Sequence, residues 1–348
     1  MGLFDDILHN DESLFINEQA LDYDYVPKKI PHRENQQHYI ADVIKPLFQK
    51  KSGRNLFIFG APGIGKTVAI KHVLRELEEK TEEIITVYVN CWKKDTSYKI
   101  LIDICGQLNY KWVHNKRTDE LMKIVSEIIN KKSVVVVLDE VDRVKDLDIL
   151  YNFSEDFYKK CILMIANDHD WIVNLDSRIK SRLNSDVLEF KAYNYDETLD
   201  ILKHRAGYAF VPDSVEREVL ELVASKAFDN GDVRTGIFLL RESGNIAEMK
   251  ASRKISVEHC EKAIEKMDSS FKIKKVEDFG DEERKILDLI KENSGLTIKE
   301  LFGLYPGSVS YRTFHRKLEE LDKNKMISLG EMREKSKIVN YNKKLSEF

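Results

Sequence analysis

The chain has only four cysteines among 348 residues, Cys91, Cys105, Cys161 and Cys260, with no CxxC pair and no histidine spaced to complete a metal site. This excludes a disulfide scaffold and argues against a structural zinc, leaving reduced thiols in or near cores. Long apolar runs are also missing. No stretch approaches the roughly eighteen apolar residues that span a bilayer, and the N-terminus has no basic region followed by an apolar one. A cytoplasmic protein with no membrane partner is expected. Met1-Gly2 does not open an acylation signal, because Asp6 and Ile7 stand where that signal needs Ser or Thr. Positive charge is not in surplus either: 56 Lys plus Arg against 60 Asp plus Glu leave a net charge of −4, so the molecule as a whole is not a polycation.

What is present is an ordinary soluble composition, 33% charged and 42% hydrophobic, in a chain long enough for two or three domains. The charge is unevenly spread. Residues 1–26 hold seven acidic residues and no Lys or Arg, whereas residues 310–345 hold ten basic against five acidic residues. Such asymmetry steers an anionic partner to one end of the chain.

The informative stretch is Gly60-Ala61-Pro62-Gly63-Ile64-Gly65-Lys66-Thr67. Leu56 to Phe59 supply a short buried strand before it. Val68, Ile70, Val73, Leu74 and Leu77 recur at helical spacing after it. In that strand–loop–helix setting it reads as a P-loop: backbone N–H groups turn inward around a triphosphate, the helix N-terminus adds partial positive charge, Lys66 reaches the β and γ phosphates, and Thr67 ligates magnesium. Ser133-Val134-Val135-Val136-Val137-Leu138-Asp139-Glu140 is the second signal. Four consecutive valines form a strand buried on both faces, and a carboxylate pair at its carboxyl end falls where ligands bind in a parallel sheet. Asp139 is expected to hold the magnesium shell and Glu140 to activate the attacking water. Asn167, after the strand Ile162 to Ala166, is the candidate first sensor of the γ-phosphate. Arg182, ahead of Arg178, is the candidate finger reaching a neighbouring subunit's phosphate. Together these describe a nucleotide hydrolase of the additional-strand class using ATP/ADP and Mg2+.

Residues 1–26 carry two readings, a mobile tail or a segment docked on the ATPase body. Pro27 and Pro31 then punctuate an extended stretch before a helix that starts near His32 and runs through Leu47. Val26, Pro27, Ile30 and Arg33 are candidates for contact with the adenine base, with a packed approach to the core as the other reading. A strand, Ile84 to Asn90, is followed by helices over Tyr98–Leu108 and Thr118–Asn130. Between that strand and the second helix, Trp92, Lys93, Lys94, Lys111, Trp112, Lys116 and Arg117 mix bases with aromatics. That suits a nucleic-acid backbone, or a solvated helical hairpin anchored by its aromatics. Asp196 to Met267 is all helix. Asp232 reads as an N-cap and Arg234 in the first turn as a second sensor pointing back at the nucleotide. Residues 269–280 are weakly patterned and mark a boundary.

Beyond that boundary come a short helix around Ile286, a second over Leu296–Leu304 and a third from Ser310, with Phe314, Leu318 and Leu321 inward. Two alternating segments flank a basic turn. This reads as a winged helix, with Tyr311, Arg312, Thr313, His315 and Arg316 facing a major groove and Arg333, Lys335 and Lys337 touching phosphates. The segments are therefore residues 1–26, a nucleotide-binding domain over 27–192, a helical lid over 193–270 and a winged helix over 281–348.

Tyr25-Val26-Pro27 and Pro31-His32-Arg33-Glu34, the 60–67 loop with Val68 after it, Leu138-Asp139-Glu140-Val141-Asp142, Asn167, Arg178 to Arg182 and Gly231-Asp232-Val233-Arg234, followed by the winged helix, resemble the archaeal replication initiators. These are related to origin recognition complex subunits and the cell-division-control helicase loader, in the AAA+ class. The resemblance covers nearly the whole chain. It implies an AAA+ P-loop ATPase with a parallel five-stranded sheet, a helical lid and a C-terminal winged helix. It also implies an initiator that binds double-stranded origin DNA through the winged helix and through a helical insertion, here roughly Trp92 to Arg117. It further implies recruitment of the replicative helicase and slow hydrolysis with ADP retained. Arg182 departs from the small residue of many archaeal members, which adds other initiator subunits to the expected partners. The insertion also departs, being short of clustered Arg. A P-loop switch in signalling or transcription whose winged helix binds protein, and a processive motor or clamp loader, are the competing readings.

Overall fold

The computed structural model describes residues 13–270, 280–307, 309–323, 326–333 and 336–341, without the side chains of 269, 270, 281, 323, 331–333 and 336. The first twelve residues of the acidic segment lie outside the described residues. Packing divides the chain into two compact units, residues 1–264 and 265–348.

In the first unit, α1 (Glu34–Ile44) becomes a 3-10 turn, Lys45–Gln49, one residue before Pro46, which has no N–H to continue the helix. Then follow β1 (Leu56–Phe59), α2 (Lys66–Lys80), β2 (Ile84–Asn90), α3 (Ser97–Gln107), α4 (Thr118–Ile129) and β3 (Ser133–Asp139). After these come α5 (Asp148–Asp156), β4 (Lys160–Ile165), the single turn α6 (Asp170–Val173), α7 (Ser177–Leu183) and β5 (Asp186–Glu189). The strands form one parallel sheet in the order β2-β3-β4-β1-β5. Val134 to Leu138 are fully buried, as a strand covered on both faces must be. Val134, Val136 and Leu138 pack with α3, α4 and α5, while Val135 and Val137 face α1 and α2. Because all strands run one way, the carboxyl ends of β1, β3 and β4 lie together at one edge.

The lid follows as α8 (Tyr195–Ala209), α9 (Arg217–Asp229), α10 (Val233–Met249) and α11 (Val257–Ser270). Lid and body belong to the same compact unit, and the N-terminal segment helps to tie them. The Phe15 ring lies 4.8 Å from Phe210, Ile16 N donates to Ala209 O, and Glu18 and Asp22 each pair with Arg241 of α10 at 3.0 Å. Further along, Arg75 of α2 donates to Val26 O and Pro27 O, and His72 contacts Lys28 O at 2.9 Å. Of the two readings for residues 1–26, the described part is docked, and it docks on the lid before it reaches the body.

The second unit contains α12 (Asp281–Glu292), β6 (Leu296–Thr297), α13 (Ile298–Leu304), α14 (Tyr311–Lys323), β7 (Ile327–Arg333) and β8 (Ser336–Tyr341), with strand order β6-β8-β7. Leu296–Leu304 is not one helix. Leu296 and Thr297 are extended and pair with Val339 and Ile338, and the Thr297 hydroxyl then caps α13 in a box with Glu300. Phe314, Leu318 and Leu321 are fully buried, with Ile286, Leu287 and Ile290 in the same core. Three helices backed by a three-stranded antiparallel sheet make a winged-helix arrangement. All four cysteines of the chain are buried.

Phe15→Ala should loosen the N-terminal segment, costing about 2 kcal/mol of apolar burial. The check is faster tryptic cleavage after Lys28 and Lys29; an unaltered rate would mean that the Phe15–Phe210 contact does not hold the segment.

Candidate functional site

A cavity of about 490 Å3 opens at the carboxyl edge of the sheet, between the body and α8 and α10 of the lid. Its floor is the 62–67 part of the glycine loop. Gly63 and Gly65 have φ of 75° and 87°, and a Cβ on Gly63 would run into the Asp232 carboxylate. On Gly65 it would lie 2.7 Å from the Tyr193 hydroxyl. Only glycine suits both positions. No side chain caps α2, so its first N–H groups are left for an anion. Lys66 is buried, and its Nζ donates to Gly60 O at 2.5 Å, Ala61 O at 2.8 Å and Asn167 Oδ1 at 3.1 Å. Burial pulls the Lys66 ammonium down to about 8, with the Asp139 charge acting against that.

Asp139 Oδ2 accepts from Thr67 Oγ1 at 2.7 Å and from the Tyr88 hydroxyl at 2.6 Å. A hydroxyl and a carboxylate at a strand end are hard oxygen donors, the set that magnesium takes. Glu140 has left-handed backbone, φ 55°, and its buried Oε2 has no hydrogen-bond partner among the described residues. Burial, with Asp139 and Asp142 alongside, raises the Glu140 carboxyl above its usual range. Arg234 lines the cavity from the lid, its guanidinium paired with its own N-cap Asp232 at 2.7 Å. The structure thus brings Pro62 to Val68, Asp139, Glu140, Asn167, Arg234 and Pro27 to one cavity.

Other expected residues lie elsewhere. Gly60 and Ala61 serve through their carbonyls on Lys66 rather than as cavity lining. Val26 does not line the cavity, and its carbonyl is taken by Arg75. Of the two readings for Arg33, the structure favours the packed approach to the core, as an internal clamp. Its buried guanidinium donates to Ile64 O at 3.0 Å and Lys191 O at 2.7 Å and lies 3.8 Å from the Tyr193 ring centroid. Arg178 and Arg182 sit outside the cavity on α7, paired with Asp176 and Glu155. Sequence reasoning missed Tyr23, Asp24, Tyr88, His204, Arg205 and Tyr208, all of which line the cavity. Only Tyr88 carried a signal, since alternation along β2 puts it on the same face as Asn90.

In the second unit Arg312 and Arg316 are exposed on α14. Tyr311 packs edge-on against Phe302, Thr313 bonds Ser310 at 3.0 Å, and His315 lies 3.3 Å from Glu319. These three are therefore partly engaged within the unit. Lys337 is exposed on β8, while Lys335 and the side chain of Arg333 lie outside the described residues. In the first unit, the 92–117 stretch buries Ile100, Leu101 and Ile104 against the sheet and leaves Trp92 and Trp112 exposed, 61% and 79%, with the Trp92 ring 4.4 Å from the Arg143 guanidinium. Lys94, Lys99 and Arg117 are paired with carboxylates.

Residues 49–169 match the family described as "AAA domain", and residues 199–265 that described as "Cdc6 AAA+ ATPase-type lid domain". The ORC1-type DNA replication protein 1 of Archaeoglobus fulgidus is 32% identical over 324 residues, 88% of this chain and 79% of that protein. Its namesake in Sulfurisphaera tokodaii is 36% identical over 263 residues, 72% of this chain and 66% of that one, just under two thirds of its length. The structure of the Aeropyrum pernix ORC1 protein in complex with DNA matches with a TM-score of 0.72 at 24% identity, covering 95% of this chain and 94% of that one. The Aeropyrum pernix ORC2 protein, in ADPNP-ADP complexes, matches at 0.66 and 19%, covering 96% and 95%. At these identities the solved structures establish the fold.

A phosphate against Lys66 Nζ restores its ordinary ammonium character. Binding of a nucleoside triphosphate at pH 8, where its γ-phosphate is already ionised, should therefore be accompanied by net proton uptake. Calorimetry at pH 8 in buffers of different ionisation enthalpy measures it; identical heats would show that Lys66 is already fully charged before the nucleotide arrives.

Proposed function

The chain belongs to the family of ORC1-type DNA replication proteins, AAA+ ATPases, and from that premise we propose that it is an ATP-dependent replication initiator. It binds double-stranded origin DNA, helps to recruit the replicative helicase, and changes state with ATP or ADP in the cavity described above. The observation that carries the proposal is the meeting of Lys66, Thr67, Asp139, Glu140, Asn167 and Arg234 at one cavity, in a chain that also has a winged-helix unit.

In this reading the backbone N–H groups of the glycine loop and Lys66 hold the β and γ phosphates. Thr67 and Asp139 would hold Mg2+, which when bound supplies positive charge against the phosphates. Glu140 orients the attacking water and accepts its proton; its unpartnered buried oxygen and raised carboxyl suit a base. Asn167 contacts the γ-phosphate, and Arg234 reports its presence to the lid, giving the lid a contact that differs between ATP and ADP. Arg182 or Arg178, outside this cavity, serves a neighbouring initiator subunit. Arg312 and Arg316 face the major groove, with Lys337 on the wing. The relative solved with DNA and the one solved with ADPNP and ADP support the choice of ligands.

Glu140→Gln should retain ATP and abolish turnover, and wild-type turnover should fall as pH drops through the raised Glu140 range. Normal turnover in the variant would move the base elsewhere. The test of the whole proposal is the affinity of the ADP- and ATP-loaded protein for duplexes tiling the DNA beside its gene and for shuffled controls, at two salt concentrations. Preference for one tile, weakened by about 1 to 3 kcal/mol in Arg316→Ala, is expected. Equal, steeply salt-dependent binding to every tile would leave a nonspecific phosphate contact and favour a switch whose winged helix binds protein.

A further inference from the structure

Tyr88 stands two residues before the end of β2, on the same face as Asn90, whose register partner is Asp139. The hydroxyl meets the carboxylate, donating to Asp139 Oδ2 at 2.6 Å. Thr67 Oγ1 donates to the same oxygen at 2.7 Å. Two hydroxyls converging on one oxygen from different elements, β2 and α2, fix the rotation of the carboxylate.

The Tyr88 ring has a second neighbour. Lys71 of α2 places its ammonium 5.0 Å from the ring centroid, and the same ammonium is 3.6 Å from Asp24 of the N-terminal segment. Asp24, Lys71 and Tyr88 all line the cavity. A continuous set of contacts therefore runs from the N-terminal segment to the carboxylate at the end of β3. Phenylalanine would fill the same space in the sheet; what the tyrosine adds is the hydroxyl on Asp139.

We propose that Tyr88 is a positioning residue for the divalent-cation site, holding Asp139 in register with Thr67, and that Lys71 and Asp24 couple this hold to the N-terminal segment. The proposal rests on the nucleotide reading of the cavity. Tyr88 acts through Asp139, as the outer hydrogen-bond partners of a metal ligand do.

The experiment measures two quantities for the full chain and its Tyr88→Phe and Asp24→Asn variants: ADP affinity in EDTA, and the Mg2+ concentration that half-saturates binding of a fluorescent, non-hydrolysable ATP analogue. Tyr88→Phe should raise the Mg2+ midpoint about tenfold, with a loss of less than about threefold in EDTA and cooperative thermal unfolding retained. Asp24→Asn should move the midpoint in the same direction by a smaller factor. An unmoved midpoint in Tyr88→Phe, or an equal loss with and without Mg2+, would overturn the proposal by reducing Tyr88 to pocket lining. An unmoved midpoint in Asp24→Asn would overturn the coupling to the N-terminal segment. If the wild-type chain binds neither nucleotide, the nucleotide reading itself fails and the proposal with it.

Discussion

One buried guanidinium fixes the site. Arg33 is 4% exposed, and a charge so placed is costly unless its donors are satisfied. Here they are satisfied by main-chain carbonyls of two distant segments, Ile64 in the glycine loop and Lys191 after β5, with the rings of Tyr193 and Phe190 beside the cation. The start of α1, the loop that shapes the cavity floor and the connection into the lid are thereby joined at one point. Tyr193 in turn lies so close to Gly65 that a side chain there would meet its hydroxyl. The position of the P-loop backbone, and of the Lys66 and Thr67 side chains that spring from it, follows from this clamp.

The N-terminal segment adds a second constraint of a different kind. It is bound to α8 and α10 by Phe15, Glu18 and Asp22, and to α2 by the carbonyls of Val26, Pro27 and Lys28. His32, just beyond, meets Asp200 of α8 at 2.9 Å. Any displacement of the lid relative to α2 must therefore stretch, break or carry along this segment. Most of these are exposed pairs or single hydrogen bonds, each of modest strength, so the segment can yield without unfolding the body.

The parts of this arrangement that could be read in the sequence are those whose cause is local. Four valines in a row can only be a strand covered on both faces, and the glycine loop between a strand and a helix has few other uses. Arg33 stayed between two readings because a cation just ahead of a P-loop suits either a ligand contact or a packed approach to the core, and the carbonyl partner that decides it, at Lys191, is 158 residues away. Tyr88 was passed over because a tyrosine in a β-branched run reads as strand filler; its value depends on Asp139, 51 residues on. Leu296 looked like the start of a helix because its strand partner, Val339, comes almost at the end of the chain. In each case the decisive neighbour is remote in sequence, and pattern along the chain carries no information about it.

The burial of the cysteines has a practical side. Cys91, Cys105, Cys161 and Cys260 lie in cores, and burial pushes their thiols up, to about 12 at Cys91 and about 11 at Cys260. A maleimide or a spin-label reagent near neutral pH meets almost no thiolate on the native chain. The wild-type sequence is therefore already a silent background for site-directed labelling. A cysteine introduced on the N-terminal segment and another on the lid could carry a dye pair that follows their separation through a nucleotide cycle, without first removing a single native thiol.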